Sequence, residues 1–138
     1  EPNEALERLV EANTLLSGLG FESSGLAAAH AIHNGLTTAH GTHAYMHGEK
    51  VAFGLLTQLM LEEQPKAVIS EVIRFSRSVG LPVTFAEIGI ANPSGALLAA
   101  VGRRATQEGE TIHNEPMPVT AGMVVAAMEA ADAAGRGL

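Results

Sequence analysis

Segment after segment of this chain repeats apolar residues at a helical spacing and then stops at glycine or proline. Residues 3–17 carry Leu6, Leu9, Val10 and Leu16 behind Asn3, a suitable N-cap, and Ser17-Gly18-Leu19-Gly20 is expected to end that helix. Ser23, Ser24 and Gly25 are expected to open a second helix, LAAAHAIHNG, whose alanines leave room for another backbone to approach closely. A third is expected from His47 through Glu62, with Val51, Leu55, Leu56, Leu59 and Met60 on one face. Pro65 suits the start of a fourth, striped by Val68, Ile69, Val72, Ile73 and Val79 and broken by Gly80-Leu81-Pro82. A fifth covers residues 94–108 and a last runs from Thr120 to Ala134. Residues 38–46 and the stretch GETIHNEPMP read as loops. Residues 83–90, VTFAEIGI, fit a short strand or an irregular connector; their brevity and the preceding Pro82 favour the connector. No alternation of strand and helix, no glycine-rich nucleotide fingerprint and no internal repeat is visible. The expected fold is an all-α helical bundle, one domain over residues 1–138.

Composition narrows the partners. Apolar residues make up 46% of the chain but aromatics only 4%, with no Trp and one Tyr, so base-stacking surfaces are not expected. A net charge of −7 opposes phosphate binding for the same conclusion: no nucleic acid. No cysteine is present, which excludes a disulfide framework and thiolate metal sites and suits a reducing, cytoplasmic setting. No apolar run reaches the roughly 18 residues of a membrane span, so no membrane partner is expected. No charged-then-apolar leader opens the chain; without an initiator Met, EPNEALERLV reads as processed or as the tail piece of something longer.

Chemistry is concentrated in one place. Five of the six histidines, His30, His33, His40, His43 and His47, fall within eighteen residues. Imidazole is the commonest metal ligand and the usual proton shuttle near neutral pH. His30 and His33 lie three apart on one expected helix, about 60° apart around its axis. His47 opens the next helix. Ligands on facing helices can converge on one ion, and a catalytic zinc takes three protein ligands and keeps one position open. The alternative is structural: a satisfied core histidine at His30 among its alanines, a gap-filling hydrogen-bonded His33, solvated loop residues at His40 and His43. Spacing leaves both readings open. His113 lies on a distant loop. Glu49 and Lys50 read as a solvated helix start, Arg103 and Arg104 as surface charges, and Phe21 as a core plug or a pocket wall.

Longer words in the chain are more specific. EANTLLSGLGFESSGLAAAHAIHNGLT, then HAYMHGEKVAFGLLTQLMLE, GLPVTFAEIGI and GETIHNEP, resemble the C-terminal half of the glycerol dehydrogenases of the iron-containing alcohol dehydrogenase superfamily. The resemblance spans nearly the whole chain. It implies the helical metal-binding domain of that fold, shared with dehydroquinate synthase, and an NAD-dependent oxidation of glycerol to dihydroxyacetone at one zinc. Hydride would pass from a metal-bound alkoxide to the nicotinamide.

The family's two histidine ligands match His30 and His47, which the resemblance makes both the metal ligands and the catalytic residues. Phe21 matches a phenylalanine bordering the glycerol pocket. His33, His40 and His43 are not carried over. Ser24 stands where family members commonly have glycine. The third ligand, an aspartate, and most NAD contacts belong to parts of the family's chain upstream of Glu1, so cofactor-binding residues are unknown here. An N-terminal NAD-binding domain and further copies in a homo-oligomer are the partners the resemblance implies, beside glycerol or a similar polyol. A relative acting on another polyol or diol, or a non-enzymatic helical module that assembles with a partner, is the alternative.

Overall fold

The computed structural model describes residues 2–138. Seven α-helices are present among them and no strand: α1 (Glu4–Glu11), α2 (Ser17–Ser24), α3 (Ala28–Leu36), α4 (His47–Leu61), α5 (Lys66–Ser78), α6 (Gly95–Ala105) and α7 (Ala121–Gly137). Short 3-10 turns at His40–Ala44, Ala86–Ile88 and Thr111–Asn114 punctuate the connections. The bundle is therefore all-α, and residues 83–90 form the expected irregular connector.

The core lies where α3 packs on α4 and α6, and α7 packs on the same two helices. Phe53 of α4 is fully buried, its ring centroid 5.1 Å from that of Phe85 in the connector. Ile32, Leu36, Leu56, Val101 and Met128 fill the space around them. Each such side chain contributes about 1.5–3 kcal/mol when taken fully out of water. Ser94 and Thr120 cap α6 and α7 by accepting from the backbone N–H groups of Leu97 and Met123.

Two expectations fail at the N-terminal end. Asn3 does cap α1, its Oδ1 accepting from the Leu6 N–H at 2.9 Å. The helix does not stop at Ser17-Gly18-Leu19-Gly20, however. A π-helical segment, Ala12–Leu16, carries it without a break into α2, which runs to Ser24. Gly18 and Gly20 keep ordinary helical backbone, and the stop comes at Gly25, whose φ of 73° is the left-handed conformation glycine tolerates best. Ser23 and Ser24 consequently close one helix instead of opening the next. Leu6, Leu9, Val10, Leu15, Leu16, Leu19 and Phe21 all remain exposed along this long helix. Its apolar stripe at helical spacing is left on the surface of the described residues.

The start of α3 is finished from far away. Ala27, in the N-cap position, has no side chain that can cap. Instead Glu115 Oε1 accepts from the Ala28 N–H at 2.8 Å, and Gln58 Oε1 accepts from the Ala29 N–H at 3.0 Å. Thr111 Oγ1 donates to the Ala27 carbonyl at 2.8 Å, and Asn114 Nδ2 donates to that of Leu26 at 2.6 Å. The stretch GETIHNEP is therefore a clamp on the helix that bears His30 and His33.

Burial raises the Glu115 carboxyl above the ordinary glutamate range; the hydrogen bond from Ala28 offsets part of this, and the nearby Glu62 adds to it. The folded state then holds this proton to a higher pH than the unfolded chain does. Stability should fall as pH rises from about 4.3, the unfolded glutamate value, through the raised folded value. Urea unfolding across that range is expected to show this slope, and to lose it in Glu115→Gln, which keeps the acceptor oxygen. Glu115→Ala should instead lose about 1 kcal/mol at neutral pH through the missing cap. A slope unchanged in Glu115→Gln would assign it to other carboxylates.

Candidate metal centre

Helices α3 and α4 meet at their histidines. His30 and His33 sit half-buried on α3, and His47 is the exposed first residue of α4. The ring centroids of His30 and His47 lie 5.5 Å apart, and those of His33 and His47 4.3 Å apart. Three imidazoles thus gather at one end of the α3–α4 pair. Burial, and then the neighbouring His47, hold the His30 imidazole below its ordinary pKa. Burial does the same for His33, opposed by its hydrogen bond to Asn34 and assisted by His47, Lys50 and His30. Neutral imidazoles at physiological pH are the form a metal ion needs.

A hydrogen-bonded chain leaves this cluster. His47 Nδ1 lies 3.2 Å from His33 Nε2, and His33 Nδ1 lies 3.1 Å from Asn34 Oδ1. Asn34 Nδ2 donates to Glu110 Oε2 at 2.9 Å, and Arg104 forms an ion pair with the other oxygen of Glu110. Although burial alone would raise it, the Glu110 carboxyl is held below the ordinary range by Asn34 and Arg104. Arg104 is thus no free surface charge, as its sequence suggested, but the end of this chain.

The other sequence-singled residues go elsewhere. His40 and His43 are exposed on the 3-10 turn and stack on each other, ring centroids 5.1 Å apart; His43 Nε2 reaches the Thr37 carbonyl at 2.9 Å. His113 is exposed and contacts the Gln107 carbonyl. Glu49 Oε2 accepts from the Met46 N–H at the head of α4. Lys50, expected in solvent, is buried, its Nζ donating to the Thr42 carbonyl at 3.4 Å. Phe21 lies on α2 and is 63% exposed, with no pocket closed around it in this chain.

The donor set fits part of a divalent-metal site. Imidazole nitrogens presented from two adjacent helices suit zinc, and the absence of thiolates leaves nitrogen and oxygen chemistry. Among the described residues, no three His, Cys, Asp or Glu side chains are arranged to enclose an ion. Clefts of about 330 and 350 Å³ are lined by Glu49, Arg77 and Glu87, and by Met60, Ile69 and Ile73, without a histidine in either. Among the described residues the cluster is an open face. No helix of the described residues is long and apolar enough to cross a membrane.

No family model matches the chain. Individual proteins do. The chain is 59% identical over 132 residues to a glycerol dehydrogenase of Thermotoga maritima, covering 96% of this chain and 36% of that protein. It is 56% identical over 133 residues to a glycolaldehyde reductase of Halobacterium salinarum, again 96% and 36%. The crystal structure of a probable glycerol dehydrogenase from Sinorhizobium meliloti superposes with a TM-score of 0.93 at 48% identity, over 99% of this chain and 39% of that one. The chain therefore spans little more than a third of the length of the relatives it matches.

Proposed function

We propose, for a chain with the helical-domain fold of the iron-containing alcohol dehydrogenases and a match to glycerol dehydrogenases along nearly all its length, that it is the metal-binding catalytic part of an NAD-dependent polyol dehydrogenase. The observation that carries this reading is the convergence of His30 and His47 from α3 and α4 onto one open face. His30 and His47 would hold a zinc or similar divalent ion, which supplies Lewis-acid polarisation of a substrate hydroxyl. The nicotinamide supplies the hydride acceptor.

The chain's own residues orient and desolvate. Half-burial of His30 keeps its ring neutral and its ligand lone pair available. The GETIHNEP clamp fixes where α3 begins and so where His30 stands. Phe21 would lend an apolar wall to the glycerol site once its exposed face is covered. The third ligand, the NAD contacts and that cover would come from the remaining two thirds of a longer polypeptide, docked on the apolar stripe of α1 and α2. A homo-oligomer in the cytoplasm completes the reading. Glycerol is the leading substrate; the similarity to a glycolaldehyde reductase favours, as second reading, a related small hydroxy-aldehyde or diol.

Two measurements test this. The longer polypeptide should reduce NAD with glycerol in a metal-dependent way, and a panel of vicinal diols with glycolaldehyde in the reverse direction would rank the substrates. This chain by itself should show little turnover and should lose zinc on dialysis. Robust glycerol oxidation by the isolated chain, or stoichiometric zinc retained through dialysis, would contradict the partial-site reading.

A further inference from the structure

We infer that His33 is a positioning residue, the last link of a hydrogen-bonded relay from Arg104 through Glu110 and Asn34 that holds His47 with its Nε2 lone pair free for a ligand. The inference rests on the reading of His47 as a metal ligand.

The direction of each bond follows from chemistry. Glu110 is ionised beside Arg104 and can only accept, so the Asn34 amide must turn its Nδ2 hydrogens toward it. The reverse orientation would point the amide oxygen at a carboxylate. Asn34 Oδ1 is then left facing His33 Nδ1, 3.1 Å away, and an oxygen can only accept. His33 must carry its proton on Nδ1. A neutral imidazole with Nδ1–H has its lone pair on Nε2, and that atom lies 3.2 Å from His47 Nδ1. His47 therefore donates from Nδ1, and its remaining lone pair sits on Nε2. Four residues from three parts of the chain settle the tautomer of one ring. Outer partners of this kind fix a ligand's tautomer and orientation, and losing one typically weakens metal binding by about 10- to 100-fold.

The relay also joins the metal face to the α3 clamp. Glu110 belongs to the same GETIHNEP stretch that caps the helix, so one loop sets both where α3 starts and which way the His47 ring is turned.

The test reads ring nitrogens directly. In the chain without metal, at about pH 8, where histidine is neutral, long-range 15N–1H correlation spectra should show His33 and His47 both as Nδ1–H tautomers. His33→Phe and Asn34→Ala should mix the His47 tautomers and, in the longer polypeptide proposed above, weaken zinc binding about 10- to 100-fold in competition with a chromophoric chelator. His33→Gln, which retains an acceptor oxygen, should lose less than His33→Phe. Unchanged helical circular dichroism and an unchanged His113 signal would show that the variants fold. A wild-type His47 protonated on Nε2, or zinc affinity unaffected by all three substitutions, would overturn the inference. A longer polypeptide of the kind proposed that has the expected tautomers and binds no zinc would refute the metal reading of the site and leave the relay standing.

Discussion

Alanine at His30 or His47 is expected to lower kcat/KM for glycerol by about 1,000-fold in the full-length polypeptide proposed above. Lewis-acid polarisation is worth several kcal/mol to such a reaction, and each 1.4 kcal/mol corresponds to about tenfold in rate. Each substitution removes one of the two nitrogen ligands proposed here, so metal content should fall with activity. His40→Ala and His43→Ala supply the contrast. Those two rings are exposed and stack on each other, so the expected change is within about twofold, since surface substitutions of this kind shift stability by no more than about 0.5 kcal/mol. NAD-reduction kinetics with metal analysis on the four variants would check this. Full activity in His47→Ala would remove the metal centre from the proposal.

Gly54→Ala should destabilise the domain strongly. A Cβ at Gly54 would press on the carbonyl oxygen of Ala29, a backbone atom of the residue next to His30. Backbone cannot rotate aside as a flexible side chain can. Overpacking costs about 1–3 kcal/mol, and here the relief open to the protein is separation of α3 from α4. That movement would also pull His30 away from His47. Chemical denaturation should therefore show a lowered midpoint at unchanged slope, together with weakened zinc binding. Gly95→Ala is the control: nothing lies near that position, and alanine favours helix over glycine by about 1 kcal/mol. Equal stability of Gly54→Ala and wild type would mean that the α3–α4 contact is looser than this geometry.

Periodicity captured the bundle because α4, α5, α6 and α7 bury one stripe each and have their starts and stops written locally. Ser94, Thr120 and Pro65 stand at three of those starts. It misjudged the N-terminal end for two physical reasons. Gly18 and Gly20 can stay helical when nothing demands a turn, whereas Gly25 is used for its positive φ. An apolar stripe also reports that a face is to be covered, not by what. At the site, spacing could place His30 and His33 on one helix but could not rank His33 against His47, because that relation depends on how α4 crosses α3. The resemblance to the dehydrogenases supplied His30 and His47, and the geometry brings them together. Glu110, Glu115 and Asn34 escaped because their partners lie 76 and 87 residues away from the acids that bind them. Lys50 escaped because a lysine after a glutamate at a helix start looks like solvent-facing charge, and burial is a property of the crossing helices.

The distant capping of α3 bears on how such a centre can be moved or inherited. The stretch from Ala28 to His47 contains every histidine of the cluster, yet grafted into another scaffold it would arrive without an acceptor for the Ala28 N–H and without the acid that orients Asn34. An uncapped first turn frays in a nine-residue helix, and His30 lies within that turn. The heritable unit of this centre is the domain from α3 through Glu115, and a short histidine signature found alone in an unrelated chain carries none of its rigidity.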